Sequence, residues 1–188
     1  PTLPAAPTAP GAAGTAAAPQ PPAAPAPAAP TLGVQERSAT LKQLGMDYAF
    51  GPNERENGGE FGTLTLSKYP IISQSNTSLP NDPNSSADHQ RGVLHTQIQV
   101  GDTVVSVYNT HLQYNFTATR MKQIQTVMGL IRNDPAPRFL AGDFNSGAHT
   151  PTYDVANSVL KDSWEAAGSG PGLARTTTRD VTIHDVTI

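Results

Sequence analysis

The stretch "PRFLAGDFNSG", residues 137–147, joins a short apolar run to a polar turn. Residues 138–143 are typical of a buried strand. Asp143 stands at its end, and Asn145 follows two positions later. Asp and Asn often stabilise turns, and this explanation suffices for either residue taken alone. The same side chains also suit a phosphate group or a metal ion, so the neighbouring elements decide which interpretation is favoured.

The residues before this stretch predict a strand–helix–strand unit. The segments "GVLHTQIQV" (92–100) and "TVVSVYNTHL" (103–112) are strand-like, and Gly101–Asp102 between them is a hairpin signal. Residues 118–133 change to a helical period, with apolar side chains on one face. A helix between strands 103–112 and 138–143 predicts a crossover that joins parallel neighbours.

This crossover predicts where the polar residues meet. His111 and Asp143 each stand at the carboxyl end of a strand, and such ends share one edge of a parallel sheet. Glu36 ends a further predicted strand, residues 31–36, and is expected at the same edge. Ligands of α/β sheets favour this edge, so the three side chains are expected to converge around a ligand.

The rest of the chain gives weaker signals. Residues 38–46 predict a short helix closed by Gly45, and residues 61–72 predict one strand. The Gly-, Pro- and Asn-rich segment 51–60 and the polar segment 78–90 predict loops.

Residues 1–30 differ in composition from the remainder. They contain ten prolines and thirteen alanines, and no charged residue occurs before Glu36. This composition cannot form a packed core, so it predicts a disordered or polyproline-like arm ahead of one domain, residues 31–188. Residues 19–30 also suit a polyproline ligand, but basic flanking residues are absent and a linker is favoured.

Composition excludes several classes of protein. The net charge is −3, which argues against a polycationic nucleic-acid binder. The chain has no cysteine, which excludes disulfides, thiolate zinc sites and cysteine nucleophiles, and no apolar run is long enough to span a bilayer. A Pro/Ala arm before a cysteine-free domain predicts a secreted or extracytoplasmic bacterial protein, with the cytoplasm as the alternative, and we expect a monomer.

The residue types predict phosphoester chemistry. Glu36 and Asp143 are hard oxygen ligands for magnesium, and Asp143 could instead orient a water molecule. His111 could donate a proton or a hydrogen bond to a phosphoryl group, and Asn145 could donate N–H groups without adding charge. For each residue taken alone an ordinary structural role is favoured, and His89, His95 and His149 are interpreted only in that way.

The sequence resembles the endonuclease/exonuclease/phosphatase superfamily, which includes deoxyribonuclease I. The similar stretches occur in the family's order, and "NTHL" with "GDFN" forms the most specific pair. They are "VQE" (34–36), "GGEFGTLTLSKYPI" (58–71), "RGVL" (91–94), "YNTHLQ" (108–113), "LAGDFNS" (140–146) and "TPTYDVANSVLKDSWEAAGSGPG" (150–172).

The resemblance implies a fold and residue roles. The fold would be a deoxyribonuclease I-like four-layer α/β sandwich, with two mixed sheets flanked by helices. Glu36 would hold Mg²⁺, or Mn²⁺, together with Asp143 and Asn145. His111 would hydrogen-bond the scissile phosphate, Asp143 would orient or deprotonate the attacking water, and Asn145 would also contact the phosphate. The substrate would be a phosphoester such as a nucleic acid, an inositol phosphate or a phospholipid head group.

The sequence also departs from the family pattern. The Pro/Ala arm replaces an opening strand that carries an asparagine, and no terminal "SDH" is found. Asp185 in "HDVTI" stands in place of the "IDY" aspartate and would be a further metal ligand. These departures predict either an incomplete chain of an ordinary enzyme or a catalytically degenerate member that acts as a binding or surface domain.

Overall fold

The computed structural model describes residues 43–56, 58–82, 89–168 and 183–185. The strands are β1 (Asp47–Glu56), β2 (Gly59–Ser67), β3 (Ile71–Ser78), β4 (Gly92–Val100), β5 (Thr103–His111), β6 (Arg138–Asp143) and β7 (Ile183–Asp185). The helices are α1 (Thr117–Arg132), α2 (Pro151–Asn157) and α3 (Ser163–Ala167). None of the helices in these ranges is long and apolar enough to cross a membrane.

The larger sheet is mixed and has the order β3-β4-β5-β6-β7. Strands β3, β4 and β5 pair antiparallel, β5 and β6 pair parallel, and β7 pairs antiparallel to β6. Helix α1 connects the two parallel strands, as the change of period predicted. The predicted crossover and the predicted hairpin at Gly101–Asp102 are therefore confirmed.

The main core lies between one face of this sheet and the helices. Tyr108 of β5 and Leu140 of β6 are buried there against Ile124 and Met128 of α1. These helix positions are four residues apart and so lie on one face, which is the apolar stripe expected of a surface helix. Ala156 of α2 belongs to the same cluster, so α2 also covers this face.

The second sheet is the hairpin β1–β2, which lies across the opposite face of the larger sheet. Thr63 and Thr65 of β2 are buried, whereas Leu64 and Leu66 on the other face are 46% and 43% exposed. Asn109 of β5 ties the sheets together, because its Nδ2 donates to the backbone oxygen of Leu64 at 3.0 Å. The layer between the sheets is thus partly polar.

Several predicted boundaries are wrong. Residues 51–60 are not a loop, since β1 continues to Glu56 and β2 begins at Gly59. Asn76 of β3 holds the polar segment in place by donating from Nδ2 to the backbone oxygen of Pro52 at 2.8 Å. Residues 61–72 are not one strand, because β2 ends at Ser67 and β3 begins at Ile71.

Other predictions fall mainly outside the described residues. The arm 1–30, the strand 31–36 and most of the helix 38–46 lie there, as do residues 83–88 of the predicted loop 78–90. Gly45, at the described end of the predicted helix 38–46, has a φ of 66°, which suits the helix-ending role expected of it.

Candidate active site

The register between β5 and β6 brings two predicted site residues together. His111 and Asp143 are paired positions at the carboxyl ends of the two parallel strands. Nε2 of His111 lies 3.8 Å from Oδ2 of Asp143, and each side chain is 33% exposed. This distance is within ion-pair range but too long for a hydrogen bond. A small polar group could therefore contact both atoms from solvent.

Gly142 allows the two strands to approach at this point. It has a φ of 136°, and a Cβ atom here would lie 1.8 Å from the backbone oxygen of Thr110, its partner on β5. No residue with a side chain fits this position without moving the strands apart. The glycine of "GDFN" is thus required by the pairing that sets the distance between His111 and Asp143.

A hydrogen-bonded turn fixes the carboxylate of Asp143. Its Oδ1 accepts from the backbone N–H of Asn145 at 2.8 Å, and its backbone oxygen accepts from the N–H of Leu112 at 2.9 Å. Asn145 itself has a φ of 48°, in the left-handed region that asparagine tolerates well. Its Nδ2 donates to the backbone oxygen of Leu112 at 2.9 Å. The turn interpretation is therefore correct for both residues, and it leaves Oδ2 of Asp143 directed towards His111.

Arg91 contacts the other side of the imidazole. Its guanidinium Nη1 lies 3.1 Å from Nδ1 of His111, and the residue is only 5% exposed. The sequence does not predict a role for Arg91, because a single arginine gives no signal of a contact with a residue twenty positions away.

Phe61 and His89 form the rim of the site on the side of the second sheet. The Phe61 ring lies 6.5 Å from the ring of His111 and 6.4 Å from that of His89, measured between centroids. His89 is bound in turn to Glu54 of β1, with 2.8 Å between Nδ1 and Oε2. Phe61 is 42% exposed, so it presents an aromatic surface beside His111. The sequence assigned His89 only a structural role and did not single out Phe61.

The chain that leaves β5 is held by α1. Oε1 of the fully buried Gln123 accepts from the backbone N–H of Gln113 at 2.8 Å, and its Nε2 donates to the backbone oxygen of Pro80 at 2.9 Å. Arg120 donates from Nη1 to the backbone oxygens of Gln113 and Tyr114. These bonds fix the segment directly after His111, so α1 stabilises the site as well as the core.

The two remaining predicted metal ligands are Glu36 and Asp185, and only the backbone of Asp185 is described. Glu36 lies outside the described residues. The backbone of Asp185 pairs with Arg138 at the start of β6, five residues from Asp143 or roughly 16 Å along a strand. In the described ranges, no three His, Cys, Asp or Glu side chains form a group able to hold a metal ion. Asp143 and Asn145 supply oxygen donors suited to magnesium, but they do not complete a cation site by themselves.

A second polar cluster lies at the opposite end of the sheet. His95 stacks on Tyr108 with ring centroids 4.4 Å apart, and the Tyr108 hydroxyl donates to Oδ2 of Asp134 at 2.8 Å. Both Ser106 Oγ (3.1 Å) and Asp134 Oδ2 (3.7 Å) approach the same nitrogen of His95, Nε2. A catalytic triad needs its serine and its carboxylate on different ring nitrogens, and Ser106 is fully buried, so this set is structural.

The pKa values in this second cluster are shifted by burial and by its hydrogen bonds. Burial lowers the pKa of His95, against the opposing effect of the Asp134 charge. Burial also raises the pKa of Tyr108, and the hydrogen bond to Asp134 adds to this rise. Burial alone would raise the pKa of Asp134, but hydrogen bonds from Ser106, the Ala136 N–H and Tyr108 bring it below its usual value.

Comparison with known proteins identifies a family that matches most of the chain. The sequence model of the Endonuclease/Exonuclease/phosphatase family matches residues 15–185, a range that begins inside the segment predicted as an arm. A search of curated proteins found no matching sequence.

Three solved structures illustrate the similarity of fold. An endonuclease/exonuclease/phosphatase family protein from Bacteroides thetaiotaomicron is 20% identical, with a TM-score of 0.59 over 79% of this chain and 66% of that one. The human Nocturnin catalytic domain, solved with a bound sulfate anion, is 16% identical, with a TM-score of 0.60 over 81% and 65%. A mannosyl-6-phosphatase from Bacteroides thetaiotaomicron is 19% identical, with a TM-score of 0.58 over 79% and 67%.

These likenesses confirm the predicted fold class, a deoxyribonuclease I-like α/β arrangement of mixed sheets and helices. The chain spans slightly less than two thirds of the length of the first two structures.

Proposed function

Because the chain belongs to the endonuclease/exonuclease/phosphatase family, we propose that it hydrolyses phosphoester bonds at the edge formed by β5 and β6. The observation that carries this proposal is the pairing of His111 with Asp143 at the carboxyl ends of adjacent parallel strands, 3.8 Å apart at Nε2 and Oδ2. An imidazole N–H and a carboxylate at this spacing could contact a phosphoryl oxygen and an attacking water molecule, respectively.

The residues at this edge have separate roles in the proposed reaction. Asp143 orients and deprotonates water through Oδ2, because its Oδ1 accepts from the Asn145 backbone. His111 donates a hydrogen bond from Nε2 to the phosphoryl group as negative charge develops there. Asn145 holds the loop that presents both groups, through its bond to Leu112.

A divalent cation is part of the proposal. Asp143 and Asn145 are the described residues that would hold it, and Glu36 would add a second carboxylate. When bound, Mg²⁺ or Mn²⁺ would neutralise phosphate charge and polarise a P–O bond.

We propose only that the substrate is a phosphoester, without choosing among the molecules that carry one. A related structure is described as a mannosyl-6-phosphatase, and another holds a sulfate anion, which has the shape and charge of a phosphate. Both support an anionic tetrahedral group as ligand. Nucleic acid, inositol phosphate and phospholipid head groups all present such a group, so the assay compares a monoester with a diester.

The test is whether the purified 188-residue chain hydrolyses p-nitrophenyl phosphate or bis-p-nitrophenyl phosphate. Each rate is measured with magnesium, with manganese and with chelator. The key variant is Asp143→Asn, since an asparagine keeps an oxygen to accept from the Asn145 N–H but removes the carboxylate. Loss of a general base is expected to lower the rate by about 10²–10⁴-fold. Asp102→Asn, in the exposed turn between β4 and β5, is the matched control and should leave the rate unchanged.

The competing hypothesis is a non-catalytic member that acts as a binding domain. It predicts no turnover of either substrate and no difference between the two variants. Retention of a metal-dependent rate by Asp143→Asn would instead show that the assigned base is wrong.

A further inference from the structure

The contact between Arg91 and His111 determines which ring nitrogen of the histidine can carry its proton. An arginine guanidinium has only N–H donors and no acceptor. With Nη1 of Arg91 at 3.1 Å, Nδ1 of His111 must therefore be the acceptor. A neutral imidazole then carries its proton on Nε2, the nitrogen on the side of Asp143.

The orientation of the ring is supported from both sides. A flip of the imidazole would place carbon atoms where Nδ1 faces Arg91 and where Nε2 faces Asp143. Both polar approaches, 3.1 Å and 3.8 Å, would then be lost together. Only the present orientation serves the guanidinium and the carboxylate.

Arg91 is itself held in place by its backbone. It directly precedes β4, and its carbonyl oxygen accepts from the N–H of Leu79 at 2.8 Å and from Nε2 of Gln90 at 2.8 Å. The neighbouring Gly92 is bonded to β5, because Thr110 Oγ1 donates to its oxygen at 2.9 Å. The side chain is buried, so little solvent competes for the guanidinium.

We propose that Arg91 is a positioning residue for His111. Its guanidinium holds Nδ1 as an acceptor and so presents the Nε2–H bond to the phosphoryl group of the substrate. The tautomer follows from the contact alone, whereas its use in hydrolysis rests on the proposed function.

Lysine would replace arginine poorly at this position. A lysine ammonium is compact, sits on a flexible stem and lacks the rigid planar donors of guanidinium. An ammonium is likewise only a donor, so the proposal predicts that Arg91→Lys keeps the charge and part of the tautomer preference, with the loss set by how poorly the flexible stem holds the ammonium at Nδ1. An apolar replacement of similar length, Arg91→Met, should lose it entirely.

The first experiment measures the tautomer without reference to activity. Long-range ¹H–¹⁵N spectra of the metal-free, ¹⁵N-labelled chain report which ring nitrogen carries hydrogen, and the His111→Gln variant assigns the signals. We expect an unprotonated Nδ1 and a protonated Nε2 in the unmodified chain, and a mixture of tautomers in Arg91→Met. Arg138→Met, which removes a guanidinium bonded to Asp134 at the far end of β6, should leave the His111 signals unchanged.

The second experiment measures the kinetic effect. If the chain hydrolyses either nitrophenyl ester, Arg91→Met should lower kcat with little change in KM, by less than the roughly 10²-fold that complete loss of one donor to the transition state would cost, because part of the His111 population keeps hydrogen on Nε2. Arg91→Lys should give a kcat between those of Arg91→Met and the unmodified chain. A wild-type spectrum with hydrogen on Nδ1 would overturn the proposal, whether or not any variant folds. An inactive chain with the expected tautomer would reject the proposed function and leave the Arg91 contact established.

Discussion

Replacing Gly142 with alanine should damage both stability and the proposed site, because of where this residue lies. The new Cβ would be 1.8 Å from the oxygen of Thr110, and Cβ atoms are not found closer than 3.0 Å to such an atom, so the two groups must separate by at least 1.2 Å (3.0 − 1.8). Thr110 and Gly142 are the pair directly before His111 and Asp143 in the β5–β6 register. The displacement therefore falls on the candidate active site.

The cost can be worked from two terms. A φ of 136° lies in a region that is sparsely populated by residues with a Cβ, and it costs such a residue about 1–3 kcal/mol. Loss of one or two ladder hydrogen bonds adds about 1–3 kcal/mol. The free energy of unfolding should fall by roughly 2–6 kcal/mol, which lowers Tm by roughly 4–24 °C at about 2–4 °C per kcal/mol for a protein of this length.

Gly129→Ala is the matched control in this experiment. Gly129 lies inside α1, and a Cβ there meets nothing within 4 Å. The same chemical change should raise stability by about 0.5–1 kcal/mol, because glycine is a poor helix former. Thermal unfolding followed by circular dichroism, with nitrophenyl ester hydrolysis on the same samples, measures both effects. If Gly142→Ala unfolds at the temperature of the unmodified chain, the close approach of β5 and β6 is not as described.

Further substitutions test the second polar cluster and the turn after β6. Tyr108→Phe should lower the free energy of unfolding by about 1.5–3 kcal/mol at neutral pH, because Asp134 loses a hydrogen bond to its charged form. Since the pKa of Asp134 is lowered on folding, this loss should be fully present above about pH 4 and should shrink as Asp134 is protonated at lower pH. Urea unfolding at several pH values measures it, and a pH-independent difference would contradict this account. Asn145→Gly should lower Tm only slightly, because the ease with which glycine adopts the φ of 48° offsets part of the roughly 0.5–1.5 kcal/mol lost with the hydrogen bond to Leu112. Ester hydrolysis should fall because that bond holds the loop, and unchanged hydrolysis would show that the amide has no part in the site.

The crossover could be predicted from sequence because its signals are local. The helical period of residues 118–133 and the apolar strands on either side need no distant partner to be recognised. Parallel pairing then follows from the connection, and with it the shared edge of His111 and Asp143. The structure confirms that the two residues share this edge, where they are paired positions.

The remaining features depend on contacts between distant segments. The segment around Pro52 has loop-like composition, and it is extended because it pairs with β2 and is bonded to Asn76 of β3. Strand β3 is almost entirely exposed, so its sequence carries no apolar alternation. Arg91 is recognisable as a functional candidate only after folding places it on Nδ1 of His111. Composition and spacing do not contain that information.

His111 and Asp143 lie on one short crossover, so other segments of the chain can vary among relatives without changing how these two residues are placed. One stretch, residues 103–143, sets the separation of His111 and Asp143, whereas Phe61 and His89 at the rim come from other parts of the chain. Under the proposed function, insertions or exchanges in those outer segments would change which phosphoester is accepted while the distance between imidazole and carboxylate stays the same. Selection for a new substrate would then act on the rim and leave the imidazole–carboxylate pair in place.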